Sequence, residues 1–194
     1  MKLDIVLAGV GGQGVVSLGV VIAATAQRRG LTVNLSEVHG MAQRGGSVMA
    51  TLRIADGPIH GALIPAGSAD FVVSTEPLEA LRHLDLLSPA GTLVTASEPH
   101  VNLPNYPDPK ELLERIRALP NAVVVDGMRL AREAGGVKAA NLVLVGALSD
   151  FLPLDPEDIE DYIRERFAKK GADIVEMNLR AFRAGRESAC PTAA

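Results

Sequence analysis

The residues with the clearest chemical potential are closely spaced glycines in the segment AGVGGQGVVS at 8–17. Gly9, Gly11 and Gly14 match the G-x-G-x-x-G spacing, and Gly12 adds another position without a Cβ atom. Because an apolar run precedes the glycines and a segment of helical length follows them, we expect a strand, a tight turn and a helix N-terminus. Such a terminus suits a phosphate, a pyrophosphate or a carboxylate. The alternative is a tight turn without a ligand.

An acidic residue, Glu37, lies at the end of the next predicted strand, about 23 residues after Gly14. In a dinucleotide-binding fold, an acidic residue at this distance binds the ribose hydroxyls. A glutamate that caps a neighbouring turn is the other interpretation. The sequence leaves both open.

The segment VHGMAQRGGS at 38–47 follows directly and combines polar side chains with glycines. Its polar side chains are His39, Gln43 and Arg44, and its glycines are Gly40, Gly45 and Gly46. One guanidinium and several backbone amides are therefore able to converge on an anion. An ordinary glycine-rich turn with a surface arginine has the same composition. We therefore treat this segment as a second candidate anion site.

Composition excludes several classes of protein. The 194 residues carry a net charge of -4 and no basic tract, so we expect no nucleic acid partner. With Cys190 as its one cysteine and four scattered histidines, the chain offers neither a disulfide framework nor ligands for an iron-sulfur cluster or a metal ion. The start of the chain lacks the order of a signal peptide, and no stretch is long enough to span a membrane. We expect a cytoplasmic protein.

The alternation of strands with helices predicts the fold class. We expect an α/β fold with three layers and a mostly parallel, Rossmann-like sheet, forming a single domain over 1–194 with a helical C-terminal part at about 153–186. The alternating residues at 47–54, followed by a turn and an apolar run at 59–64, predict an antiparallel hairpin. The step from 38–47 into a strand without an intervening helix departs from an ordinary dinucleotide-binding domain.

Two predicted helices, at 15–26 and 142–148, have no polar face. A helix of this kind is buried on more than one side, so we expect a partner protein to cover part of these surfaces, the alternative being a central core helix. Asn141 is the predicted N-cap of the second helix. The proline-rich segment at 97–109 is predicted to be an exposed loop that acts as a lid or a partner contact.

Three segments together resemble a known family: GVGGQG at 9–14, SEVHGMAQRGGSV at 36–48 and KAANLVLVGAL at 138–148. The chain closely resembles the small (beta) subunits of indolepyruvate:ferredoxin oxidoreductases and, more widely, the gamma subunits or domains of 2-oxoacid:acceptor oxidoreductases. The similarity extends over about 1–186. It implies one subunit of a complex that oxidatively decarboxylates an aryl pyruvate to an acyl-CoA and passes the electrons to ferredoxin.

The resemblance also implies where the cofactors lie. The chain has no cluster cysteines, and its Asp-Gly pairs at 56–57 and 126–127 lack the preceding glycine of a thiamine diphosphate motif. Thiamine diphosphate, magnesium and the iron-sulfur clusters are therefore expected in the large (alpha) subunit, and none is expected in this chain alone. The 2-oxoacid, coenzyme A and ferredoxin are the expected partners of the complex.

By resemblance, this chain helps to bind coenzyme A or shapes the approach to the active site. Our hypothesis assigns backbone amides, one guanidinium and neighbouring polar groups to that shared site, and no residue as catalytic. The residues are Gly11, Gly12, Gln13, Gly14, Glu37, His39, Arg44, Gly45 and Gly46.

Two rival functions remain at this stage. The first is a free-standing oxidoreductase that binds NAD or FAD through the glycine loop and Glu37. The second is a scaffold subunit whose glycine loop makes only subunit contacts. A Walker-type nucleotide hydrolase is excluded because Val15 and Val16 occupy the places of the required Lys and Ser or Thr.

Overall fold

The computed structural model describes residues 1–39, 45–101 and 103–189. Within these residues the strands are β1 (Lys2–Val10), β2 (Thr32–His39), β3 (Ser47–Ala55), β4 (Ala69–Ser74), β5 (Leu87–Ala96) and β6 (Ala122–Val125). The α-helices are α1 (Val15–Arg28), α2 (Pro77–Arg82), α3 (Pro109–Arg117), α4 (Gly127–Ala134), α5 (Ala140–Ser149), α6 (Pro156–Phe167) and α7 (Ala172–Ala189). None of the described helices has both the length and the apolar composition that a membrane span requires.

The six strands form one sheet in the order β2-β3-β1-β4-β5-β6. β1, β4, β5 and β6 are parallel neighbours, whereas β3 is antiparallel to both β1 and β2. The predicted α/β class, the mostly parallel sheet and the presence of an antiparallel hairpin are confirmed. The hairpin itself consists of β2 and β3.

The predicted pairing of β3 with 59–64 is wrong. Both edges of β3 are already paired, with β1 on one side and β2 on the other, so no edge is left for a further strand. The Arg53 guanidinium instead donates to the carbonyl oxygens of Gly61 at 3.0 Å and Leu63 at 3.2 Å. The segment is therefore held by side-chain hydrogen bonds rather than by a ladder.

Arg53 also forms a buried ion pair. Its Nε donates to Asp4 Oδ1 at 2.8 Å, and the Asp4 side chain is 1% exposed. Burial alone would raise the pKa of Asp4, but hydrogen bonds from Arg53 and Lys2 outweigh it and the pKa is lowered. This pair links β1 to β3 and to the segment that follows β3.

The two faces of the sheet carry different helices, because successive residues of a strand point to opposite sides. Ile5 and Leu7 of β1 pack in the larger core with α1, α4, α5, α6 and α7. Val6 points the other way, into a smaller core that includes Ile116 of α3. The three layers are thus one helical layer, the sheet, and a thinner helical layer.

The helix α5 is covered by this chain itself. Residues from Leu142 to Ser149 are all buried, and α7 packs along them. The two helix axes come close because glycine stands at each point of contact. A Cβ on Gly146 would lie 1.9 Å from the Phe182 carbonyl oxygen, and one on Gly185 would lie 1.9 Å from the Val143 carbonyl oxygen. The prediction that a partner covers α5 is therefore wrong; the core-helix alternative is correct.

Candidate functional site

The main cleft lies at the carboxyl ends of the parallel strands. The chain leaves β1 toward one side of the sheet for β2 and β3, whereas β4 lies on the other side, so β1 and β4 flank a topological switch point. Loops after β1, β4, β5 and β6 surround a cavity of about 450 Å³. Its lining residues from these loops and from the start of α5 include Gly12, Gly14, Thr75, Glu98, His100, Met128, Lys138 and Asn141.

The two predicted glycine segments are joined at the edge of this cleft. The Gly11 amide donates to the Gly46 carbonyl at 2.8 Å, and the Gly45 amide donates to the Gly11 carbonyl at 3.1 Å. The Gly11 amide is therefore paired with the second loop and is not free to bind a ligand. Gly12 is exposed, with a φ of 101°, and among the described residues its amide has no partner.

The helix α1 begins at this loop without a side-chain cap. Gly14 is the N-cap, in the left-handed region with a φ of 76°, and no side chain of the described residues binds the first amides of the helix. Amides in the first turn have no partner within a helix. Val15, Val16 and Ser17 line a neighbouring cavity of about 430 Å³, so the N-terminus of α1 offers donors and a positive dipole end to that cavity.

Gln13 lines the main cleft and fixes the glycine loop in place. Its backbone amide donates to the Val10 carbonyl at 3.0 Å, while its side-chain Oε1 accepts from the Val10 backbone amide at 2.8 Å and from the Thr75 hydroxyl at 2.7 Å. The loop is therefore tied to the end of β4. Thr75 carried no sequence signal, because its role depends on a contact between distant loops.

Asn141 has a different role from the predicted one. The N-cap of α5 is Ala139, which makes no side-chain cap bond, and Asn141 Nδ2 donates instead to the Gly14 carbonyl at 3.0 Å. A Cβ on Gly14 would lie 2.5 Å from that nitrogen. The glycine loop and the start of α5 are thus clamped together, which explains part of the third segment behind the resemblance.

Glu37 faces the glycine loop across a second cavity of about 430 Å³. Because β3 separates β2 from β1, Glu37 stands about 5 Å farther from the loop than it would on a strand paired directly with β1. This spacing disfavours the ribose-binding interpretation. Arg44 and the side chain of His39 lie outside the described residues; the His39 backbone ends β2 opposite Val48.

An acidic pair forms one wall of the main cleft. Glu98 Oε1 accepts from the Met128 amide at 2.7 Å. Burial and the neighbouring Asp126 carboxyl group raise the pKa of Glu98, and the interaction with Glu98 lowers the pKa of Asp126. Glu98 Oε2 is buried and has no hydrogen-bond partner among the described residues, so the neutral form of this carboxyl group persists to a higher pH than usual.

The loop after β5 is tied down beside this wall. The buried Glu76 carboxylate accepts from the His100 amide at 3.3 Å and from the Tyr106 hydroxyl. Burial and the hydrogen bond to Glu76 raise the pKa of Tyr106.

Sequence reasoning placed the loop but missed Glu76, Glu98 and Lys138 because each contributes from a separate loop or helix terminus. Lys138 is exposed and supplies a positive charge at the rim.

A mostly parallel α/β sheet with a cleft at its switch point, bordered by two joined glycine loops, defines the class of Rossmann-like proteins. The chain belongs to the pyruvate ferredoxin/flavodoxin oxidoreductase family, whose model matches residues 4–188. It is a gamma-type subunit of the 2-oxoacid:ferredoxin oxidoreductases.

Several relatives carry the name indolepyruvate oxidoreductase subunit IorB, and two of them illustrate the similarity. The one from Archaeoglobus fulgidus is 40% identical over 195 residues, covering 95% of this chain and 94% of the relative. The one from Methanothermobacter thermautotrophicus is 37% identical, covering 95% and 96%. A 2-oxoglutarate synthase subunit KorC from Archaeoglobus fulgidus is 29% identical, covering 96% of this chain and 87% of the relative.

Solved structures share the fold. The gamma subunit of a keto/oxoacid ferredoxin oxidoreductase from Geobacter sulfurreducens matches with a TM-score of 0.75 at 24% identity, covering 97% of both chains. A 2-oxoglutarate:ferredoxin oxidoreductase from Magnetococcus marinus, solved with 2-oxoglutarate, coenzyme A and succinyl-CoA bound, matches with a TM-score of 0.76 at 24% identity. The match covers 97% of this chain and 31% of that longer one.

Proposed function

We propose that this chain is the subunit without redox cofactors in a cytoplasmic indolepyruvate:ferredoxin oxidoreductase. The complex would convert an aryl pyruvate and coenzyme A to an acyl-CoA and carbon dioxide while reducing ferredoxin. The higher identity to IorB subunits, 40% against 29% for a KorC subunit, supports an aryl substrate over 2-oxoglutarate. Thiamine diphosphate, magnesium and the iron-sulfur clusters would reside in the large subunit.

Coenzyme A is the ligand we assign to the cleft beside the glycine loops. The observation that supports this assignment is the pair of hydrogen bonds that join Gly11 to Gly45 and Gly46. These bonds bring Gly45 and Gly46 to the rim where Gly12 presents an unpaired amide, and Arg44 directly precedes Gly45 in the sequence. Amides together with a guanidinium suit the phosphates of coenzyme A.

The remaining residues of the site hypothesis take supporting roles in this proposal. Gln13 holds the loop in place through Thr75, as its hydrogen bonds indicate. Glu37 and His39 orient polar groups at the second cavity. A dinucleotide is a poorer ligand than coenzyme A, because the antiparallel β3 separates Glu37 from the glycine loop.

The test measures the KM for coenzyme A in the assembled complex. Arg44→Ala should raise this KM about tenfold, since a charge-assisted hydrogen bond contributes about 1.5 kcal/mol or more. Gly12→Ala should raise the KM for coenzyme A too, because a residue with a Cβ atom is strained at a φ of 101° and the added methyl group would stand in the cleft. Gly30→Ala is the matched control: its φ is 77°, its surroundings are equally open, and it lies at the far end of α1.

The KM for the 2-oxoacid should stay unchanged in all three variants. If Arg44→Ala and Gly12→Ala leave the KM for coenzyme A at the wild-type value, the glycine loops make only subunit contacts and the scaffold function replaces the proposal.

A further inference from the structure

A separate groove lies on the other side of Asn141 from the main cleft. It has a volume of about 380 Å³ and runs between the exposed side of α1, the start of α5 and the end of α6. Its lining residues are Ser17, Val21, Lys138, Asn141, Leu142, Arg166, Phe167 and Lys170. None of them is acidic.

Three cations meet at this groove without acidic partners. Lys138, Arg166 and Lys170 are exposed, and none forms an ion pair with an acidic side chain of the described residues. Neighbouring arginines are paired: Arg28 with Glu165, and Arg164 with Glu160 at 2.7 Å. In a chain of net charge -4, these unpaired cations form a local positive site.

The floor of the groove is apolar. Val21 and Leu142 are buried, and the charged groups of Arg166 and Lys170 are 6.0 Å and 5.3 Å from the centroid of the half-buried Phe167 ring. A ligand that matches this groove therefore combines an apolar, flat part with more than one negative charge. Hydrophobic lining with a few charged groups at the rim is typical of small-molecule sites.

We propose that this groove binds the phosphate groups of a nucleotide-type ligand. The phosphates lie among Lys138, Arg166 and Lys170, which form charge-assisted hydrogen bonds with them, and the base lies against Phe167. The groove is distinct from the glycine-loop site, because it uses side-chain cations rather than backbone amides. Lys138 and Asn141 line both this groove and the main cleft, so one long ligand is able to reach both.

The test is calorimetric titration of the purified full chain with pyrophosphate, ADP and coenzyme A at low ionic strength. Lys170→Glu should weaken the binding of pyrophosphate and ADP by about tenfold or more, because it replaces an attraction with a repulsion. Lys169→Glu is the matched control: it makes the same charge change one residue away, and Lys169 does not line the groove. Lys138→Ala should weaken binding about threefold.

The source of the phosphates follows from a comparison of ligands. If coenzyme A binds at least tenfold more tightly than ADP, and Lys170→Glu abolishes this difference, the ligand of the groove is the nucleotide end of coenzyme A. If coenzyme A and ADP bind with equal affinity, the ligand is a free nucleotide. Equal losses in Lys169→Glu and Lys170→Glu, or no binding of any of the three probes, would overturn the proposal.

The outcome is separable from that of the proposed function. If Gly12→Ala leaves coenzyme A binding unchanged while Lys170→Glu weakens it, the groove proposal stands and the glycine-loop assignment fails.

Discussion

One added methyl group at Gly185 should destabilise the chain, although alanine is the better helix former. A Cβ at this position would lie 1.9 Å from the Val143 carbonyl oxygen and 2.7 Å from its carbonyl carbon. Since non-bonded atoms pack at about 3.5 Å, α7 and α5 would have to separate by about 1.5 Å. Both contact partners are backbone atoms, so no side-chain rotation relieves the clash.

The net effect follows from two opposing terms. Alanine gains about 1 kcal/mol over glycine in a helix interior. Overpacking costs about 1–3 kcal/mol where side chains adjust, and we expect about 4 kcal/mol here because two helices that bury Phe182 must move. The free energy of unfolding should therefore fall by about 3 kcal/mol, which is about 9 °C in Tm for a chain of this length.

The assay is denaturant and thermal unfolding of the purified chain. Glu187→Ala, an exposed substitution on the same helix, should change the stability by less than about 0.5 kcal/mol. Gly146→Ala should be destabilising as well, and the double variant should lose less than the sum, because one separation of the helices relieves both clashes. A Gly185→Ala chain as stable as wild type would refute the close crossing of α5 and α7.

Three further predictions concern the cleft and the sheet. Asn141→Ala should cost about 1 kcal/mol and speed hydrogen exchange in the glycine loop, because the bond to the Gly14 carbonyl is lost; unchanged exchange contradicts the clamp. Because the pKa of Glu98 is raised in the folded chain, the folded state is stabilised most when Glu98 is protonated at low pH. This stabilisation is lost as the pH rises above 4.5, the ordinary pKa of a glutamate. The Glu98→Gln side chain stays neutral beside Asp126, so the stability of this variant relative to wild type should increase as the pH rises above 4.5; a pH-independent difference counts against a raised pKa for Glu98. Arg53→Met should cost about 3 kcal/mol in urea unfolding, since it leaves a buried carboxylate on β1 without its main counter-charge, and a neutral result contradicts the buried pair.

The parts of the fold that depend on neighbouring residues could be predicted from the sequence. The apolar run, the glycines and the following helix of β1 and α1 lie within 2–28, and each signal is local. The helical C-terminal part predicted at about 153–186 corresponds to α6 and α7, which extend from Pro156 to Ala189. Periodicity and turn residues suffice for such elements.

The partners of strands and helices could not be predicted in the same way. A run such as 59–64 has the residues of a strand, but pairing depends on whether an edge of β3 is free, and β2 already occupies it. An apolar helix such as α5 has the same pattern whether its own chain or another protein covers it. The close approach at Gly146 and Gly185 decides between the two, and these glycines are 39 residues apart in sequence.

The glycine segments of the candidate site could be predicted from the sequence, whereas its acidic residues could not. The site hypothesis that followed from the resemblance grouped both glycine segments, and hydrogen bonds join Gly11 to Gly45 and Gly46 in the structure. The wall formed by Glu98 and Asp126 comes from loops after two other strands, so only the sheet order reveals it.

The most direct measurement reconstitutes the complex. The large subunit, this chain and an equal mixture of the two are each assayed for ferredoxin reduction with indolepyruvate as a function of coenzyme A concentration. We expect the two subunits to co-purify, reduction by the pair to depend on coenzyme A, and neither subunit to be active by itself. A large subunit that is fully active without this chain, or a purified chain that turns over the 2-oxoacid unaided, would contradict a shared coenzyme A site.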